Sequence, residues 1–180
     1  MKFLTALLTL MVVCAPMTAS SGDYEQADVY RGLRDQALGL GPQELEPRNG
    51  VFALLMETGY DEAAVTIVAA ADGSASMYFS NGGGTIGAGE YEQVREVVFE
   101  TLSETGKYLD ELELTNSYPL PKLGQTRFFV VTDAGVLTSA APEEMLGDEK
   151  HDLSPLFLQV HKLIAYIRTA EEHRRSRRSE

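Results

Sequence analysis

Between Asn81 and Gly89 the chain reads NGGGTIGAG, and Gly82, Gly84 and Gly87 satisfy the spacing G-x-G-x-x-G between a strand-like run and a helix-like run. Glycines so placed let backbone amides and a helix N-terminus close on a pyrophosphate, with an acidic residue about 20 positions further on to hold a ribose. Asp110 or Glu111 stands at that distance. Gly82, Gly83, Gly84, Thr85, Gly87 and Gly89 are therefore the candidate ligand-binding residues, the ligand being a small molecule or an anion. A structural reading competes, in which the five glycines make a tight ordered turn whose backbone needs φ values that side chains forbid. The surroundings favour the turn. The preceding strand closes a meander instead of opening a βαβ unit, Asp110 and Glu111 fall at a helix end, and Glu90 and Glu92 put negative charge in the first helical turn, where it repels phosphate. On this reading at least one glycine has positive φ, Glu90 or Glu92 satisfies the helix end, and alanine is costly only at the positive-φ positions.

Other reactive residue types do not converge. Asp148, Glu149, His151 and Asp152 cluster in DEKHD, but the glycine-turned D-x-D-x-D-G loop of a calcium site is missing and the next histidine, His161, is ten residues on. A solvated loop is the simpler reading. There is no G-x-S-x-G elbow, H-E-x-x-H or G-K-[ST] loop, and the histidines, His151, His161 and His173, all lie near the C-terminus. No catalytic residue, metal ligand or cofactor is nominated. Met77, Tyr78 and Phe79 stand together on a strand, where neighbours alternate faces, so they suit a core better than a base-stacking platform.

Fifteen basic against 27 acidic residues give a net charge of −12, which repels nucleic acids and anionic lipid. Lys2 and the apolar run Phe3 to Val13 precede Cys14 and APMTASSG, the order of a secretory leader with cleavage expected after Ala19. Residues 1–19 thus read as a signal peptide, and the protein as exported, periplasmic or secreted. Eleven apolar residues fall short of the roughly 20 of a membrane span. The alternative is a lipoprotein anchored through Cys14, although Val13 stands where the bacterial lipobox has a small residue. Cleavage after Ala19 would leave no cysteine, and with it no disulfide framework or thiol nucleophile.

The elements that must position any site follow from periodicity. Asp23 to Leu40 repeats apolar residues at helical steps and stops at Gly39 to Pro42. Val51 to Glu57, Ala64 to Ala70 and Ser74 to Ser80 read as three strands, with Asp72-Gly73 as the strongest turn signal. A helix follows from Glu90 to Leu109, then a hairpin of Thr126 to Thr132 and Val136 to Ala140 around Asp133-Ala134-Gly135. Ser154-Pro155 supplies an N-cap and first-turn proline for a last helix. The order α-βββ-α-ββ-α predicts an α+β fold with a mostly antiparallel five-stranded sheet, one domain over residues 23–170 and a basic disordered tail over 171–180.

VFALLMETGY followed by TIVAAADGSASMYFSNGGGTIGAGEYEQVR resembles a family of small uncharacterised bacterial proteins. Its shared core is DG-T/S-x-S-h-Y-h-S-x-GGG-h-IG-x-G-E-x-x-x-V-R, with h apolar, and this chain departs from it at Thr85 and in the spacing before Arg95. The likeness is close over Asp72 to Arg95, loose from Val29 to Arg168, and includes LSPLF at Leu153 to Phe157. It implies no activity. Members of that family commonly lack an export signal, so the leader is a departure. The element order also resembles that of class I type III secretion chaperones, a likeness of order alone. The expectation is a non-catalytic exported module that binds a protein partner, with small-ligand or anion binding at residues 82–89 as the alternative.

Overall fold

The computed structural model describes residues 22–178, so the expected leader, its cleavage point and Cys14 lie outside the described residues. Helix α1 (Asp28–Leu38) precedes strands β1 (Val51–Gly59), β2 (Ala64–Ala70), β3 (Ala75–Phe79) and β4 (Gly84–Thr85). Helix α2 (Glu92–Thr105), strands β5 (Glu113–Thr115), β6 (Gln125–Thr132) and β7 (Gly135–Pro142), and helices α3 (Glu143–Gly147) and α4 (Ser154–Arg178) follow. The strands form one antiparallel sheet in the order β4-β3-β2-β1-β6-β7-β5. The α+β class holds, with seven strands in place of the expected five. Strand β4 is two residues inside the glycine run and β5 three mostly exposed residues. Neither is long enough to show an alternating pattern.

Strand β1 is central and buried at every position, which is why its sequence reads as one apolar run. Its Leu54 and Met56 join the core beneath α2, α3 and α4, with Val98, Leu102, Leu146, Leu156 and Leu163. Phe52, Ala53 and Leu55 face the other way, into a second core under α1 with Tyr30, Ala37, Phe129 and Val131. The neighbours Phe52 and Ala53 share a face because the register with β6 shifts between Val51 and Ala53. Each expected hairpin turn forms: Gly73 has φ +88° and the Ser74 amide donates to Asp72 Oδ1 at 2.8 Å, while Gly135 has φ +118°.

Boundaries moved where packing overrides local pattern. Helix α1 starts at Asp28, not Asp23, because the preceding segment is held extended by the Gly22 amide on the Leu120 carbonyl and the Ala27 amide on the Ser80 carbonyl. The second helix is broken into a 3-10 turn over Ala88–Glu90, α2, and a 3-10 segment over Gly106–Glu111. Ser154 lies inside α4, and the cap before it is His151, whose Nδ1 accepts from the Leu153 amide at 3.1 Å. Helix α4 runs on to Arg178, taking in most of the basic segment expected to be a disordered tail. Among the described residues no helix is long and apolar enough to cross a membrane.

Candidate functional site

The candidate glycines do not form one cradle. Gly82, Gly83 and Gly84 have φ of +103°, +84° and +134° and line a hollow of 140 Å³ on the α1 side with Val29, Tyr30, Leu33, Tyr78 and Ile86. Thr85 is buried on the opposite side, lining a second hollow with Met77, Arg168 and Arg175 of α4. Gly87, at φ +75°, and Gly89 line a third, with Asp72, Glu90 and Arg95. The positive-φ expectation is met at Gly82, Gly83, Gly84 and Gly87. Gly89 corrects the rule that only such positions need glycine: a Cβ there would stand 2.1 Å from the Gly73 carbonyl oxygen, so the β2–β3 turn itself requires the missing side chain. Neither the 3-10 turn nor α2 has a side-chain cap, so Glu90 and Glu92 do not satisfy the helix end as expected. Arg95 lies there instead, its Nε donating to the Gly89 carbonyl at 3.1 Å.

On the α1 side the 140 Å³ hollow adjoins another of 210 Å³ lined by Gln36, Leu40, Leu45, Val68 and Ser76, and the two share Leu33, Tyr78 and Ile86. Together they make a groove along α1, floored by Tyr78 and edged by Val29 and Ile86, which are 58% and 53% exposed. Val29 and Ile86 thus add exposed apolar surface at a groove, where a partner's apolar side chains have something to pack against.

Beside this groove lies a polar row that the sequence reading missed. Sheet register sets Tyr78 opposite Thr66, Thr66 opposite Glu57, and Glu57 opposite Arg127, across four adjacent strands. Glu57 is fully buried, and helix α1 lays Tyr30 and Arg34, one turn apart, over it. Arg34 grips the carboxylate bidentately, Nε to Oε1 at 2.7 Å and Nη2 to Oε2 at 2.8 Å, and Nη2 also reaches the Tyr118 carbonyl at 3.0 Å. Thr66 Oγ1 donates to Glu57 Oε1 at 3.1 Å and shares a hydrogen bond with the Tyr30 hydroxyl at 3.0 Å. Tyr30 meets Tyr78 edge to face, with ring centres 5.6 Å apart. Burial, reinforced by the Glu57 charge, pushes both phenols far above their ordinary value. The Tyr78 hydroxyl is buried without a partner.

This row has only two traces in the sequence: one acid in the apolar run VFALLMETG, and one arginine four residues after Tyr30 on the apolar stripe of α1. Together they are the pattern of a buried pair. Tyr30, Arg34, Glu57 and Thr66, engaged with one another, hold α1 on the sheet, and so shape the groove, rather than transfer protons to a ligand.

The remaining candidates are dispersed. Asp110 and Glu111 sit in the 3-10 segment after α2, and β3 leads to an antiparallel β4, so the βαβ setting of a dinucleotide site is not formed. In DEKHD, Lys150 pairs with Asp148 at 2.7 Å and His151 caps α4; His161 lies against Phe157 and His173 further along α4. Among the described residues no three histidine, cysteine or acidic side chains group as metal ligands. Comparison of the chain with protein-family models, with curated proteins and with solved structures finds no match.

Proposed function

We propose that the chain is an exported accessory module that binds a protein partner, and that an apolar segment of that partner lies in the groove between α1 and the glycine-rich turn. The observation that carries this reading is the groove itself: apolar floor, exposed Val29 and Ile86 on its lips, and polar groups at Gln36, Asp72, Ser74 and Ser76. Aliphatic anchors in a partner would gain about 1.5 to 3 kcal/mol each on full burial there, and the polar rim would fix direction. On this reading the glycines bring the β3–β4 turn close to α1, and the resemblance to small bacterial proteins lies in that scaffold. Export rests on the order of the N-terminal residues from Lys2 to Ala19.

A photo-crosslinking residue at Ile86, expressed in the native host, tests the reading. A discrete protein adduct at Ile86 that is absent from the same residue at Tyr166 on α4, and that Val29→Asp abolishes, is the expected result. Equal labelling at both positions, or none at Ile86, would overturn it. Mass spectrometry of the same material should show a chain starting near Ser20 or Ser21. An intact Met1 would overturn export, and a lipid on Cys14 would replace cleavage after Ala19 by anchoring.

The alternative, a small ligand held by the glycine-rich turn, is favoured only by the 140 Å³ hollow, whose walls are apolar side chains and glycine backbone. That lining suits an apolar ligand. An anion is disfavoured on the other side of the turn, where Asp72 and Glu90 outnumber Arg95.

A further inference from the structure

Across β1 from the groove, on the same face of the sheet, Arg127 has an unusual position. Among the described residues three arginines are buried or half-buried: Arg34 is paired with Glu57, Arg174 with Glu171, and Arg127 with nothing. Its Nε is sealed from solvent and has no acceptor. Both Glu57 oxygens are already taken, Oε1 by Arg34 and Thr66 and Oε2 by Arg34. Two guanidiniums therefore stand near one carboxylate that only Arg34 engages, and both lie on the same ring, at 5.4 Å and 5.9 Å from the centre of Phe129. One unit of positive charge is left over in a half-buried setting. Burial and the neighbouring Arg34 hold the Arg127 pKa below its ordinary value, against the pull of Glu57.

We propose that Arg127 anchors a carboxylate-binding subsite, bordered by Tyr118 and open on the side of Ala140. Tyr118 stands edge-on to the Phe129 ring at 5.7 Å and is 38% exposed, so it offers an aromatic wall. Ala140, directly opposite Arg127 on β7, is exposed and carries only a methyl group, so it adds little bulk beside the guanidinium. The outer guanidinium nitrogens form a planar fork that matches a carboxylate with two parallel hydrogen bonds. The charge count selects a monoanion. A carboxylate neutralises the surplus, whereas a phosphate dianion would set uncompensated negative charge near buried Glu57. The carboxylate could come from a small organic acid or from an acidic side chain of a protein partner. The subsite stands whether or not the groove binds an apolar segment.

The test follows the Arg127 Nε–H resonance in the full-length, nitrogen-15-labelled protein, assigned by its loss in Arg127→Lys. Sodium acetate is titrated against sodium chloride at matched ionic strength, alongside inorganic phosphate. A blocked peptide carrying one glutamate is compared with its glutamine counterpart. The expected result is a saturable shift with acetate or with the glutamate peptide, and none with the glutamine peptide. Acetate alone would mark a small-acid site, and the peptide a protein side chain. By backbone amide shifts, Arg127→Lys should weaken binding at least fivefold, and Ala140→Leu should abolish it with the melting temperature unchanged. A response equal in chloride, a response to phosphate alone, no response to any probe, or binding undisturbed by Ala140→Leu would overturn the proposal.

Discussion

Glu57→Gln is the sharpest test of the buried row. The substitution keeps the volume of the side chain and removes its charge, so it leaves the buried Arg34 facing a neutral amide, with the half-buried Arg127 beside it. Removing one partner of a buried ion pair costs about 3 to 5 kcal/mol, because the remaining charge cannot return to water without opening the structure. The upper half of that range is expected here, since Arg34 loses a bidentate partner and the nearby Arg127 loses the same counter-charge. Domains of this size have about 5 to 15 kcal/mol of stability. At about 2 to 4 °C per kcal/mol the melting temperature should fall by about 10 °C or more. Urea unfolding at neutral pH should show a lower midpoint at unchanged slope. The companion double variant, Glu57→Leu with Arg34→Met, removes both charges and should lose much less than the sum of its single variants, with a coupling of about 2 kcal/mol or more. A Glu57→Gln protein within about 0.5 kcal/mol of the parent, or additive single losses, would refute the view that this pair holds α1 to the sheet.

Three further outcomes follow from individual contacts. Tyr78→Phe removes a buried hydroxyl that has no partner and should leave stability unchanged or raise it, whereas Tyr30→Phe breaks the bond to Thr66 and should cost about 1 kcal/mol; chemical denaturation distinguishes them. Gly89→Ala should be more damaging than Gly83→Ala, by thermal melting, because the first drives a methyl into the Gly73 carbonyl while the second has open space and only its φ of +84° to strain. In an alkaline titration followed by phenolate absorbance, Tyr30 and Tyr78 should ionise only as the protein unfolds. Tyr60, hydrogen-bonded to Glu143 at 2.7 Å and pushed up to about 12 chiefly by burial, should lag behind exposed phenols. The native state holds these protons above pH 10 while the unfolded chain releases them, so stability should fall as pH rises past that point. Ordinary titration of all eight tyrosines at native stability would contradict it.

By itself the sequence determined the class of fold and much of its punctuation. The short apolar run from Val51 to Met56, bounded by turn residues, reads as a strand, and Asp72-Gly73 and Asp133-Ala134-Gly135 bend the chain back at once, which makes the pairing antiparallel. It also located the glycine-rich turn, since successive backbone positions at positive φ strongly favour glycine. What periodicity cannot report is which residue stands opposite which. Strand β4 exists because the edge of β3 offers hydrogen bonds, and β5 because β7 does; two or three residues carry no pattern of their own. Glu57, Thr66, Tyr78 and Arg127 meet only through the registers of four strands, and Arg34 joins them only because α1 packs with that face down. Burial drives each segment to the core through its own apolar residues, but the polar contacts made there belong to pairs of segments. The charge balance around Arg127, on which the carboxylate subsite rests, therefore becomes defined only when the tertiary structure closes.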